Sequence, residues 1–224
     1  LDDTRKAQEK LAADLGQLRH FNNRLLGDSN LEEALLTSSQ SLSMLLPGCA
    51  GSIYPLTEGE GLALESDLWG IHSCRTQAQA GAEDCWSLHR KRLHIGHSHS
   101  PESLCAHVEP IEGATFVTAC IPLLTPNETH GWLYLSAPSE TELNLPIALM
   151  AAEYLAVTLA NQKLRANLRD QSVRDPLTGL FNRRYLTESL GREMARSGRR
   201  NLPLAVMTFD IDHFKRFNDT YGHA

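Results

Sequence analysis

One uninterrupted helical pattern, from about Leu145 to Val173, limits how the rest of the chain can fold. It repeats every seven residues, with position a filled by Ile147, Tyr154, Asn161 and Leu168 and position d by Met150, Val157, Leu164 and Gln171. Such a seam is typical of a helix that pairs with a second copy of itself, and a lone Asn at position a favours two parallel strands in register. We expect the first half to pack locally and the half past Asn161 to form a dimer stalk. The alternative is that the whole face packs on its own domain.

The residues before this helix predict a domain of helices and antiparallel strands. Residues 2–26 have the spacing of an amphipathic helix, and a second helix, which either Asn30 or Ser29 can cap, runs to Leu46. Strand patterns occur at residues 49–56, 62–69, 115–124 and 130–137. The turn between the last two predicts a hairpin. Residues 72–110 are polar, rich in His and Cys, and predicted to be irregular.

After the long helix, a second apolar run has the length of a buried strand and ends in acidic residues. The run covers residues 202–209, and Asp210 and Asp212 follow it with Ile211 between them pointing the other way. Ligand sites of α/β folds lie at the carboxyl ends of buried strands. We therefore expect a ligand site here, whereas the alternative is a loop that carries charge only for solubility.

The composition excludes several classes of protein. Of the 224 residues, 42% are hydrophobic and 21% charged, as in a globular protein, and the net charge of -6 offers no basic field for nucleic acid. No run approaches the roughly 20 apolar residues of a membrane helix, and no signal peptide is visible. Five scattered cysteines suit a reducing, cytoplasmic location. The chain begins with Leu, so a membrane anchor or sensor before residue 1 stays an open alternative.

Two motifs near the C-terminus resemble the opening of a GGDEF domain, the catalytic module of diguanylate cyclases. The first is RDPLTGLFNRR at residues 174–184, and the second is FDIDHFK at 209–215 followed by NDTYGH at 218–223. The resemblance covers about residues 172–224 and implies a ferredoxin-like, cyclase-like fold. It also implies an enzyme that acts as a homodimer, joins two GTP molecules into cyclic di-GMP and releases pyrophosphate.

The resemblance implies roles for six positions, which are Asp210, Ile211, His213, Phe214, Lys215 and Asn218. Asp210 matches the first carboxylate ligand of Mg²⁺, and Ile211 matches the residue whose backbone carbonyl also meets the metal. Lys215 matches a lysine on the triphosphate, and the backbone amides around His213 and Phe214 would cradle phosphate oxygens. Asn218 matches the residue that recognises guanine. Asp212 and Asp219 belong to the motif without an assigned role.

The chain ends before the GGDEF signature itself, whose acids complete the metal site in the family. The resemblance therefore predicts that residues 174–224 are a truncated domain with half an active site, inactive on their own. We also expect residues 202–209 to be an edge strand that lacks its partners. The alternative function is a degenerate GGDEF module that binds GTP or cyclic di-GMP without turnover.

Residues 30–160 resemble a GAF domain, a fold that senses small molecules with an antiparallel sheet between helices. The supporting sequences are CWSLHRKRLH at residues 85–94, CAH at 105–107 and HGWLYL at 130–135. The resemblance implies that an unknown small-molecule signal regulates the cyclase. The expected domains are an N-terminal helix (1–29), the GAF sensor (30–160), a signalling helix or coiled-coil stalk (145–173) and the GGDEF part (174–224).

Four residues of the GAF-like part are candidate sensor residues: Cys85, His94, Cys105 and His107. Their side chains are of the types that bind zinc and other borderline metals, but their spacing matches no compact metal signature. Three alternatives stay open: a purely structural loop, a metal or haem site, and a thiol that senses oxidants. We expect the three tryptophans to line the core or a pocket and the basic residues 90–92 to face solvent.

Overall fold

A computed structural model describes residues 2–28, 30–57, 62–71 and 74–222 and divides the chain into two compact units, residues 1–167 and 168–224. The helices are α1 (Asp2–Leu25), α2 (Leu31–Leu45), α3 (Trp86–Arg90), α4 (Leu145–Val173), α5 (Arg183–Arg200) and α6 (Phe214–Tyr221). The strands are β1 (Ala50–Pro55), β2 (Leu62–Leu64), β3 (Ser66–Trp69), β4 (Cys74–Thr76), β5 (Gln79–Gly81), β6 (His94–His97), β7 (Val108–Pro110), β8 (Val117–Leu124) and β9 (Thr129–Ala137).

The first unit is built on a five-stranded antiparallel sheet in the order β3-β1-β9-β8-β6. The hairpin predicted from the sequence is confirmed as β8 and β9, with Cys120 opposite Tyr134 and Ile121 opposite Leu133. The strand predicted at residues 62–69 is wrong in one respect, because it divides at Glu65 into β2, which pairs with β5, and β3, which pairs with β1. The irregular segment predicted at 72–110 is also wrong in part, since it contains four strands and α3.

Side chains of the central strands alternate between the two faces of the sheet, as a period of two requires. Residues with odd numbers, such as Ile53, Ile121 and Leu133, join the apolar core that the helices cover. Residues with even numbers, such as Cys120 and Tyr134, join a second core on the opposite face. The sheet thus separates a mainly aliphatic layer from a layer rich in aromatic rings and thiols.

Helices α1, α2 and α4 cover the aliphatic face. The sequence predicts both N-terminal helices correctly, and the Asn30 side chain caps α2 by accepting a hydrogen bond from the backbone N–H of Glu33 (2.9 Å). The first half of α4 contributes Ile147, Leu155 and Leu159 together with four buried alanines to the core. These side chains are buried in the core, so this half packs locally as predicted.

The second half of α4 keeps its apolar seam exposed. Val157 and Leu164 are 55% and 56% exposed, and Asn161 between them is exposed too. Leu168, the next seam position, is likewise exposed. The seam is therefore available for pairing, and the dimer stalk stays a prediction.

One stretch, Glu140–Asp170, is long and apolar enough to cross a membrane by length and composition, although the sequence analysis expected none. It contains most of α4, and 44% of its most apolar window is buried inside the protein. The core helix of a soluble domain has the same properties. Burial of its alanine-rich face against the sheet accounts for its hydrophobicity.

The second unit begins with the last turns of α4 and continues through a tight loop into α5. Asn182 caps α5 by accepting a hydrogen bond from the backbone N–H of Tyr185 (3.0 Å), and α5 ends at Arg200. Within the loop, Asp175 Oδ1 accepts hydrogen bonds from Leu177 and Thr178, and these bonds lower the pKa of Asp175. The motif RDPLTGL thus forms a closed turn.

The strand predicted at residues 202–209 does not form. The segment has no regular secondary structure, within the described residues it pairs with no strand, and Phe209 is 83% exposed. A single extended segment leaves its backbone N–H and C=O groups without ladder partners, so it gains nothing from adopting strand geometry.

Candidate functional site

The six predicted nucleotide-site residues lie together in sequence, just before α6 and within it. Asp210 and Ile211 end the irregular segment that precedes α6, and both are exposed. His213 adopts a left-handed backbone conformation (φ +57°), and α6 begins at the next residue, Phe214. The backbone N–H of Phe214 donates to the carbonyl of Ile211 (3.3 Å), which closes a turn.

This turn gives the segment the properties of an anion-binding helix start. Lys215 lies in the first turn of α6 and is exposed, and the N–H groups of a first helical turn have no partner inside the helix. A left-handed residue beside right-handed ones aims successive N–H groups towards one point. Asn218 belongs to α6 by its backbone, while its side chain lies outside the described part.

The first unit contains a second candidate site, which we call the Cys/His cluster and define as Cys85, Cys105, His107 and Cys120. All four are buried, and their ligand atoms lie within 4.8 Å of one another. Cys85 precedes α3, Cys105 and His107 precede β7, and Cys120 is on β8. The Sγ atoms of Cys105 and Cys120 are 3.8 Å apart, and Nε2 of His107 is 3.5 Å from Sγ of Cys120.

Neighbouring groups hold the cluster in place. The backbone N–H of Trp86 donates to Sγ of Cys105 (3.4 Å), and a hydrogen bond joins Sγ of Cys85 to Oγ of Ser87 (3.1 Å). The imidazole of His107 lies among the rings of Tyr54, Trp132 and Tyr134, with centroids 5.4 to 5.7 Å away. Cys85, Cys105 and His107 thus each contact a neighbour outside the cluster.

The three thiols of the cluster differ in acidity. Hydrogen bonds from Cys105 and then Cys120 lower the pKa of Cys85 well below its ordinary value. The Cys120 thiol lowers the pKa of Cys105, but the Cys85 sulfur and burial outweigh this effect and raise it to about 12. Hydrogen bonds to Cys105 and Cys85, together with burial, raise the pKa of Cys120 far above its usual range.

His94, which the sequence analysis grouped with these residues, does not join them. It lies opposite Cys120 in the β6–β8 register, but its Nε2 bonds the backbone carbonyl of Ser103 (2.7 Å). Cys120 is the fourth member of the cluster instead of His94. Its position could have been predicted only from the alternation of side chains along β8, which places Cys120 on the face that carries Cys105. All five cysteines of the chain are free and buried.

The tryptophans and basic residues complete the comparison with the sequence. Trp69 and Trp132 are buried as predicted, whereas Trp86 is 42% exposed, with the guanidinium of Arg90 4.4 Å from its ring centroid. That cation–π contact explains why an exposed tryptophan is tolerated there. Residues 90–92 are exposed, as expected for a solvated charge run.

Glu65 is a half-buried hydrogen-bond acceptor that the sequence analysis missed. Its Oε1 accepts hydrogen bonds from the hydroxyls of Ser52, Tyr54 and Thr76. Burial and then the Glu65 charge raise the pKa of Tyr54 far above its usual range. Because the donors come from two other strands, β1 and β4, no local pattern around residue 65 could reveal this role.

Comparison with known proteins gives a family for the C-terminal unit. Residues 172–224 match the family described as diguanylate cyclase, GGDEF domain. The probable diguanylate cyclase DgcC of Escherichia coli is 39% identical over 95 residues, which cover 39% of this chain and 25% of that protein. Diguanylate cyclase DgcP of Pseudomonas aeruginosa is 51% identical over 55 residues, 25% of this chain and 8% of that protein. The chain thus spans a quarter or less of these relatives.

Solved structures resemble the N-terminal part. The GAF domain of an Acinetobacter phosphoenolpyruvate-protein phosphotransferase superposes with a TM-score of 0.51 at 15% identity, covering 67% of this chain and 94% of that one. A free methionine-R-sulfoxide reductase from Neisseria meningitidis, in complex with its substrate, gives 0.54 at 11% identity, covering 70% and 93%. Likeness at this level of identity concerns the fold alone.

Proposed function

Since the chain joins a unit of the GAF fold to the start of a GGDEF domain, we propose that it is the sensory part and the first catalytic part of a diguanylate cyclase. The reaction would join two GTP molecules into cyclic di-GMP with release of two pyrophosphates. The match of residues 172–224 to the GGDEF family, together with the intact residues Asp210, Lys215 and Asn218, carries this proposal.

The residues present fit a magnesium ion. The carboxylate of Asp210 and the adjacent carbonyl of Ile211 are the hard oxygen donors that Mg²⁺ prefers, and the carbonyl keeps a free lone pair beside its bond to Phe214. When bound, the ion would neutralise charge on the transferring phosphate. Within the chain itself, Lys215 would hold the triphosphate, and the N–H groups around His213 and Phe214 would donate to its oxygens. Asn218 would read the guanine edge.

We further propose that the protein acts as a parallel homodimer through the exposed seam of α4. The apolar positions Val157 and Leu164 recur at heptad spacing, and Asn161 fixes register between copies. Pairing would bring two GTP-bearing domains together, one GTP in each. A small molecule bound by the GAF-fold unit would regulate this pairing, and the free cysteines fit a reducing cytoplasm.

The test measures formation of cyclic di-GMP by the longest protein that its gene encodes and that contains residues 1–224. Incubation with GTP and Mg²⁺ should yield cyclic di-GMP, detected by chromatography, and D210N should lower the rate at least about 100-fold because a metal-binding carboxylate is lost. The matched control is E193Q, which removes an exposed acid on α5 that pairs with Arg196, and it should leave the rate unchanged.

Two other results would redirect the proposal. If the protein binds GTP or cyclic di-GMP by calorimetry but forms no product, it is a receptor of the same nucleotides and not an enzyme. If D210N and E193Q have equal activity, the metal role assigned to Asp210 is wrong.

A further inference from the structure

The Cys/His cluster brings four metal-ligating side chains from three distant parts of the chain to one buried point. Residues 85, 105, 107 and 120 all lie within the described part of the first unit, and their ligand atoms lie within 4.8 Å of one another. We infer that this cluster is a zinc site of the type with three thiolates and one imidazole, held inside the GAF-fold unit. Nothing in the proposed cyclase chemistry requires it.

The distances within the cluster fit tetrahedral zinc. Zinc binds cysteine sulfur at about 2.3 Å and histidine nitrogen at about 2.0–2.1 Å, so tetrahedral angles separate two sulfurs by about 3.8 Å and a sulfur from a nitrogen by about 3.6 Å. The Sγ atoms of Cys105 and Cys120 are 3.8 Å apart, and Sγ of Cys120 and Nε2 of His107 are 3.5 Å apart. Two of the edges of the required tetrahedron are thus already in place.

The chemistry of the donors selects the metal. Three thiols and one imidazole are soft-to-borderline ligands, which favour Zn²⁺ over Mg²⁺ or Ca²⁺. Four protein ligands fill every tetrahedral position, as in zinc sites whose role is structural. With three thiolates and a neutral imidazole the bound site carries a net charge of -1, and the Trp86 N–H already donates to one of the sulfurs.

Zinc at this point would fasten a long segment to the sheet. Residues 85–107 run from the start of α3 to the loop before β7, while Cys120 belongs to β8, between β9 and β6 in the sheet. A metal bonded to Cys85, Cys105 and His107 on one side and Cys120 on the other would tie both ends of that segment to the sheet face opposite α4. Zinc would then hold residues 85–107 against this face of the sheet, whether or not GTP is bound.

The test measures metal content and coordination in the complete chain, purified under reducing conditions without chelator. Elemental analysis should find about one zinc per chain, and Co²⁺ added to the chelator-treated protein should give the visible absorption and sulfur-to-cobalt charge transfer of a tetrahedral thiolate site. C120S and H107A should each lower the bound zinc at least tenfold.

Two variants serve as matched controls. C49S removes another buried cysteine, whose Sγ contacts the carbonyl of Glu142 in the opposite core, and H94A removes the nearby imidazole that bonds Ser103. Both should keep full zinc content. Circular dichroism verifies that each variant is folded, and the cobalt spectrum of the unmutated protein requires no variant at all.

Three results would overturn the inference. The first is a reduced, folded protein that contains no zinc and gives no thiolate charge transfer with Co²⁺. The second is zinc that survives in folded C120S but is lost in H94A. The third is a disulfide between Cys105 and Cys120, found by mass spectrometry in protein purified with reductant, since these two thiols would then be unable to bind the metal.

Discussion

Gly131 on β9 lies where no other residue fits, and replacing it with alanine should strongly destabilise the first unit. Its φ of +139° is disfavoured for residues with a side chain, and an added Cβ would lie 2.0 Å from the carbonyl oxygen of Tyr54 on β1. Ordinary contact distances are about 3.5 Å. The two strands would therefore have to separate by about an ångström or more, in the middle of the sheet.

The magnitude follows from two costs. Forcing a side chain into a packed site costs about 1–3 kcal/mol, and the disfavoured backbone conformation costs about 1–3 kcal/mol. We expect G131A to lower the free energy of unfolding by about 4 kcal/mol, a large part of the roughly 5–15 kcal/mol of a typical domain. At about 2–4 °C per kcal/mol, the melting temperature should fall by about 8–16 °C.

Two other glycines allow the cost of the backbone conformation to be measured apart from the cost of the steric clash. Gly113 has a φ of +79° but nothing within 4 Å of an added Cβ, so G113A should cost only about 1 kcal/mol. Gly16 lies in α1 with the same free space, and G16A should stabilise by about 0.5–1 kcal/mol because alanine favours a helix.

The assay is thermal unfolding followed by tryptophan fluorescence. Trp69, Trp86 and Trp132 all belong to the first unit, so the signal reports on that unit alone. If G131A lowers the melting temperature no more than G113A does, the close approach of β9 to Tyr54 does not constrain the fold and the reasoning fails.

Three further predictions concern the seam, a buried imidazole and the metal. L164D should shift the protein from dimer to monomer in analytical ultracentrifugation, whereas L149D, on α4 but off the seam, should not; equal effects would rule out the seam as the interface. Burial, opposed by Glu128, lowers the pKa of His130. The contribution of His130 to the free energy of unfolding should therefore be full above about pH 6.5 and decline as the pH falls below that value. Urea titrations at each pH should show a flatter decline for H130Q. Removing zinc should lower the melting temperature by about 5–11 °C, as expected for roughly 2.7 kcal/mol of binding stabilisation at 100-fold excess over Kd, and C120S should not respond to chelator.

Elements defined by contiguous patterns could be predicted from the sequence. The heptads of α4, the cap at Asn30 and the turn between β8 and β9 each depend on neighbouring residues, and all three are present. The GGDEF motifs were equally readable, because residues 174–184 and 209–223 keep their order and spacing.

Features that depend on distant partners could not be predicted. The division of residues 62–69 into two strands places Glu65 among three hydroxyls from other strands, and the local apolar pattern contains no trace of them. The same limit applies to the cluster: Cys120 and His94 face each other across β6 and β8, and sequence spacing gave no reason to prefer the thiol. Residues 202–209 are the opposite case, because the sequence has a strong strand pattern but no strand forms without a neighbouring strand to accept and donate hydrogen bonds.

The alternation of β8 and β9 has a consequence for how such a protein can diversify. On β8, Cys120 faces the cluster while its neighbour Ile121 faces the helices, and on β9 Trp132 and Leu133 divide in the same way. Substitutions at even positions can therefore remodel the chemistry of one compartment while the odd positions continue to hold α4. Over evolutionary time, one scaffold could exchange the stimulus it recognises and keep the output helix, changing its input one residue at a time.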